Sequence, residues 1–104
     1  MSGTRLEILK SIVERTPDDK FSRYGLAMEY VKSGELETAM AEFDALLERD
    51  ASYAAAYFHG GQTLEKLGRF DEAKDLYRRG IEVTGRSGDA HTRSELMAAL
   101  ETLG

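Results

Sequence analysis

The stretch "LGRFDEAKDLYRRGI", Leu67 to Ile81, decides the fold because it occurs twice in outline. Shifted by 34 residues, "SGELETAMAEFDALL", Ser33 to Leu47, falls into register with it. Gly34 then meets Gly68, Leu36 meets Phe70, Ala39 meets Ala73, Phe43 meets Tyr77 and Leu47 meets Ile81. Apolar residues recur at three- and four-residue steps, as in Ala39, Phe43, Leu46 and Leu47, which is the period of one helical face. A half-buried strand would alternate every second residue, and nothing in the chain reads that way.

Outward from this repeat, six segments are predicted as helices: Thr4 to Arg15, Asp19 to Ser33, Leu36 to Arg49, Tyr53 to Leu67, Phe70 to Thr84 and Asp89 to Leu103. Gly34, Gly68 and Gly85 stand where a helix would end on a left-handed residue, a conformation that costs glycine no Cβ clash. Asp18 or Asp19, Ser52 and Asp89 are placed to accept from the exposed amides at the start of the following helix. No linker-like or low-complexity stretch interrupts the series, so residues 1–104 are expected to form one domain.

Composition narrows the functional classes. At 104 residues the chain can bury roughly two-thirds of the surface that it would expose unfolded. It has no cysteine, which excludes disulfides and thiol catalysis and fits a reducing compartment, so a cytoplasmic location is expected. The amino terminus lacks the basic-then-apolar layout of a secretion signal, and no apolar run approaches the ~20 residues that cross a bilayer. A formal net charge of -5 and a pI near 5.0 would repel a phosphate backbone, so neither nucleic acid nor membrane is an expected partner. The basic cluster Lys74, Arg78 and Arg79 is interleaved with Asp71, Glu72 and Asp75 at helical spacing, which reads as a solvated, ion-paired face.

A 34-residue period of two helices around a glycine resembles the tetratricopeptide repeat. The first full unit carries the resemblance through Tyr24, Leu26, Ala27, Tyr30, Gly34, Ala39, Phe43 and Ala51. In the second the counterparts are Tyr57, Gly60, Gly61, Leu64, Gly68, Ala73, Tyr77 and Gly85. The resemblance implies an all-α, right-handed superhelix of six antiparallel helices. It would comprise a leading half-repeat at 1–19, repeats at 20–53 and 54–87, and a capping helix at 88–104. The chain departs from the pattern where Gly60 replaces leucine and Gly80 replaces alanine. Gly80 within a helix costs about 1 kcal/mol relative to alanine, which points to a tight contact there or to a locally soft fifth helix.

In such an array the first helix of each unit lines a concave surface. The resemblance places Phe21, Tyr24, Met28, Phe58, His59 and Gln62 there, a mixture of rings, a soft thioether and polar groups that suits a peptide segment of a partner protein. The same rings at helical spacing also suit burial in a core. Some members of the family clamp terminal carboxylates of chaperones. At the matching places this sequence has Tyr24, Met28, His59, Asp89 and Arg93, of which only Arg93 keeps the residue type, so that mode is disfavoured. The apolar stripe of the first helix, including Ile8 and Ile12, is broad enough to suggest self-association into a homo-oligomeric scaffold. Catalysis is not expected and no cofactor is implied. A metal-dependent enzyme would need more than His59 and His91, although His91 and Glu95 are one turn apart. His59 on an inner face would make partner binding depend on pH.

Overall fold

In a computed structural model, which describes residues 4–104, the helices are α1 (Arg5–Arg15), α2 (Lys20–Lys32), α3 (Leu36–Arg49), α4 (Ala54–Lys66), α5 (Phe70–Ser87) and α6 (Ala90–Leu103). No strand occurs among the described residues, and no helix there is long and apolar enough to cross a membrane. The helices pack as two units, one ending at Asp50 and the other running from Ala51 to Gly104.

In the first unit α2 packs against both α1 and α3. A capping box starts α1: the Thr4 hydroxyl accepts from the Glu7 amide at 3.2 Å and a Glu7 carboxylate oxygen accepts from the Thr4 amide at 3.1 Å. Asp19, not Asp18, caps α2, accepting from the Ser22 amide at 3.1 Å. Asp18 pairs with Arg49, 3.5 Å away. The core consists of Val13, Leu26, Ala27, Tyr30, Ala39, Met40, Phe43, Leu46 and Leu47. Arg23 is also buried, and its guanidinium donates to Glu42 at 2.7 Å and to the Pro17 carbonyl at 3.1 Å. One side chain thereby ties α2 to α3 and to the turn before it.

The second unit packs α5 against α4 and α6, with α4 also touching α6. Its core holds Ala56, Tyr57, Leu64, Ala73, Leu76, Tyr77 and Leu96. The repeat is exact enough to reproduce its turn: Glu35 donates to the Tyr30 carbonyl and Arg69 to the Leu64 carbonyl, each at 2.9 Å. Gly34 and Gly68 sit at φ 84° and 75° within these closures, which the left-handed end of such a turn requires.

Two local expectations are corrected. Gly85 does not end α5; the helix runs to Ser87, and Gly88 (φ 80°) is the left-handed residue, donating to the Thr84 carbonyl at 3.0 Å. With Asp89 immediately following as the cap of α6, the α5–α6 connection needs only these two residues, so the extra turn of α5 is accommodated. Ser52 does not cap α4: the helix starts one residue later, its N-cap is Tyr53, and no side chain caps it there. In the basic cluster Glu72 pairs with Arg69, whose Nε lies 2.6 Å from it, and the Arg79 guanidinium stands 5.7 Å from the Tyr57 ring centroid. The charged face of α5 thus draws on the preceding turn, through Arg69, and on an aromatic ring, through Arg79.

Candidate functional site

The second unit contains a groove of about 400 Å³, lined by Phe58, Gln62 and Glu65 from α4 and by Glu95, Ala98, Ala99 and Thr102 from α6. Behind it two glycines, Gly61 of α4 and Gly80 of α5, let the helices pack closely. At Gly80 an added Cβ would stand 2.6 Å from the Tyr57 Cβ of α4 and 2.9 Å from the Leu96 Cδ1 of α6, so α5 seats both neighbours against one bare backbone position. At Gly61 a Cβ would stand 2.1 Å from a Tyr77 ring carbon. Gly80 therefore marks a tight contact, and this contact sets how closely α4 and α6 approach. With Tyr57, Gly60, Gly61 and Leu64 turned inward on α4, the adjoining face presents Phe58, Gln62 and Glu65, spaced four and three residues apart.

Electrostatics divide the groove. Glu65 accepts from the Tyr77 hydroxyl, which reaches it from α5. Burial, then the bond to Glu65 and its charge, hold the Tyr77 phenol far above its ordinary range. Glu95 is near enough to act on His59, and its Oε2 lies 3.8 Å from His91 Nε2. The His59 ring meets the Phe58 ring edge-on, centroids 5.2 Å apart and planes at 82°. Partial burial pushes the His59 imidazole below its ordinary value of 6.5, with Glu95 acting in the opposite direction and Lys66 in the same one. The groove floor is apolar, and both titratable side chains that line it are carboxylates.

Of the residues singled out in the sequence, Phe58, His59 and Gln62 are thus brought together on α4 beside α6. Phe21, Tyr24 and Met28 lie on α2, in the first unit: Phe21 is 77% exposed, while Tyr24 and Met28 are half-buried. The Tyr24 ring packs 6.4 Å from that of Phe43, tilted by 57°. On α1, Ile8 is 49% exposed and Ile12 is half-buried. Arg93 does not line the groove; its Nε would lie 3.3 Å from a Cβ at Gly85, so it rests on α5. Asp89 is engaged in capping, accepting from the Thr92 amide at 3.1 Å. Glu65, Ala98, Ala99 and Thr102 escaped the sequence reading, and Glu95 entered it only as the neighbour of His91 one turn away. The signal for Glu65 was its place seven residues after Phe58 on one helical face; the α6 residues needed the register of that helix. Among the described residues no three His, Cys, Asp or Glu side chains are grouped to hold a metal ion.

A family model described as tetratricopeptide repeat matches residues 22–53 and 54–85. The chain belongs to the tetratricopeptide repeat family. A TPR repeat-containing protein of Pseudomonas aeruginosa is 24% identical over 98 residues, covering 94% of this chain and 93% of its own. A tetratricopeptide repeat domain protein from Salinibacter ruber, solved by solution NMR, is 40% identical, with a TM-score of 0.80 over 84% of this chain and 88% of that one. PcrH, crystallised in complex with the chaperone binding region of PopD, shares the tetratricopeptide fold with a TM-score of 0.88 at 17% identity, over 94% of this chain and 74% of that one.

Proposed function

We propose that this tetratricopeptide protein is a non-catalytic interaction module that holds a segment of a partner polypeptide in the groove between α4 and α6. The observation that carries the reading is the groove itself: an open trough with an apolar floor of Phe58, Ala98 and Ala99 and hydrogen-bonding groups from Gln62 and Thr102. Rings and small side chains supply contact area, and the polar groups fix register, the usual division of labour in peptide recognition. PcrH, with the same fold, was solved holding a segment of another protein, which supports this kind of use. The exposed Phe21 of α2, with Tyr24 and Met28, supplies a further contact strip in the first unit.

The test is affinity capture from extract with mass-spectrometric identification, followed by titration of the identified segment. Phe58→Ala is expected to weaken binding of that segment at least about tenfold, the loss of one buried aromatic anchor, while the thermal melt stays cooperative. Tyr24→Ala is expected to weaken it less. Binding that survives Phe58→Ala unchanged rejects the groove as the site.

A second reading rests on Ile8, a large aliphatic side chain left 49% exposed on α1 one turn from Ile12. A second copy of the chain covering this face would make the protein a self-associating scaffold.

A further inference from the structure

We infer that the segment this groove accepts is basic at its ends and apolar in its middle, an inference that rests on the groove being the binding site. Along α4 the lining runs from Phe58 to Glu65, and along α6 from Glu95 to Thr102, each window spanning about two helical turns, or roughly 10 Å. Tyr57 of α4 and Leu96 of α6 meet at the one point of α5, Gly80, so their neighbours Phe58 and Glu95 stand at the same end of the trough. Glu65 lies two turns further along α4, at the other end. Between them lie the Phe58 ring and the methyl groups of Ala98 and Ala99. The order along the trough is therefore carboxylate, apolar floor, carboxylate.

Both carboxylates are suited to receive a cation. Glu95 sits on an exposed stretch of α6 with its side chain 44% accessible. Glu65 is held in place by the Tyr77 hydroxyl, which occupies one of roughly four acceptor positions on a carboxylate and leaves the others for a second donor. No Lys or Arg lines the trough; Lys66 acts on His59 from α4 but is not part of the lining. A partner with acidic ends would meet two like charges, whereas lysine or arginine ends would meet two opposite ones, and rim charges of this kind select partners and speed association. The chain's net charge of -5 adds attraction in the same sense but cannot choose where a basic segment lands.

The experiment uses the full chain and three labelled peptides with the same leucine-rich centre, flanked by lysines, by glutamines or by glutamates, with fluorescence anisotropy as the readout. The lysine-flanked peptide is expected to bind about tenfold more tightly than the glutamine-flanked one at low salt, the margin shrinking as salt is added. Glu95→Lys leaves Glu65 as the one carboxylate of the trough and is expected to erase the margin of the lysine-flanked peptide over the other two. Glu48→Lys makes the same charge change at an exposed position of α3 and is expected to preserve the order. Equal binding of the lysine- and glutamine-flanked peptides, both lost in Phe58→Ala, overturns the basic preference and leaves the groove standing. Lysine-flanked binding that Phe58→Ala does not touch, or that Glu48→Lys weakens as much as Glu95→Lys, overturns both, as does no binding by any of the three.

Discussion

At the scale of single residues, Gly61 and Gly80 are conspicuous because a helix interior disfavours glycine, yet both are required by what lies against them. Alanine at either position would gain about 1 kcal/mol of helix propensity. It would also drive a methyl group into Tyr77 or Tyr57, buried rings that cannot swing aside. Overpacking of that kind costs about 1–3 kcal/mol, so Gly61→Ala and Gly80→Ala are expected to lower the urea midpoint. Gly85 is the contrasting case: it is exposed, and only the flexible Arg93 side chain approaches its Cβ position, at 3.3 Å. Gly85→Ala is therefore expected to leave the midpoint unchanged or raise it. Two titrations follow from the same packing. The His59 imidazole is held below 6.5, so just under that value the unfolded chain binds more protons than the folded one. Its contribution is neutral above pH 6.5 and becomes destabilising as pH falls through it, and an NMR titration of His59 should show a midpoint below 6.5. Tyr77 has the opposite sign of shift: its phenol is held above the ordinary 10.0, so the stability it contributes is intact below pH 10.0 and is lost as pH rises further. Phenolate absorbance should show one tyrosine resisting ionisation until the protein unfolds.

At the scale of helices, most boundaries were legible because they depend on interactions a few residues long. Asp19 and Asp89 cap α2 and α6 by accepting from the amide three residues on, a contact that the sequence spells out locally. Both carboxyls are held below their ordinary 3.8 by these hydrogen bonds. The stability they contribute is complete above pH 3.8 and is lost as pH falls through the depressed values. Asp89→Ala is expected to fray the start of α6, seen as faster amide exchange at Thr92 and Arg93 and as loss of that acid-range component. The end of α5 was not legible, since Gly85 and Gly88 are equally able to take a left-handed φ. The choice fell to Gly88 because the Thr84 carbonyl can accept from both Gly88 and Asp89, at 3.0 and 3.1 Å, and because Asp89 then begins α6 at once. Likewise Ser52 has the chemistry of a cap, but the α4 backbone turns in one residue after it.

At the scale of the whole molecule, the two units carry separate exposed apolar features, and most of the net charge of -5 falls on the first. If α1 of one copy covers α1 of another, sedimentation should report a dimer that Ile8→Asp weakens at least about tenfold, since a carboxylate would be desolvated in the contact. A monomer at all concentrations would remove that reading. The helical class, the 34-residue repeat, the left-handed glycines at 34 and 68 and most caps follow from the order of residues alone, because each depends on neighbours within a helical turn or on a period written along the chain. The groove does not. Phe58 and Thr102 are far apart in sequence, and helical spacing says only that each lies on a face, not which face acquires a neighbour. That was decided when α5 laid its bare Gly80 against Tyr57 and Leu96 together, bringing α4 and α6 close enough to form a trough and placing the Tyr77 hydroxyl on Glu65. Packing of large side chains onto missing ones is a property of three helices at once, and no local stretch of sequence contains it.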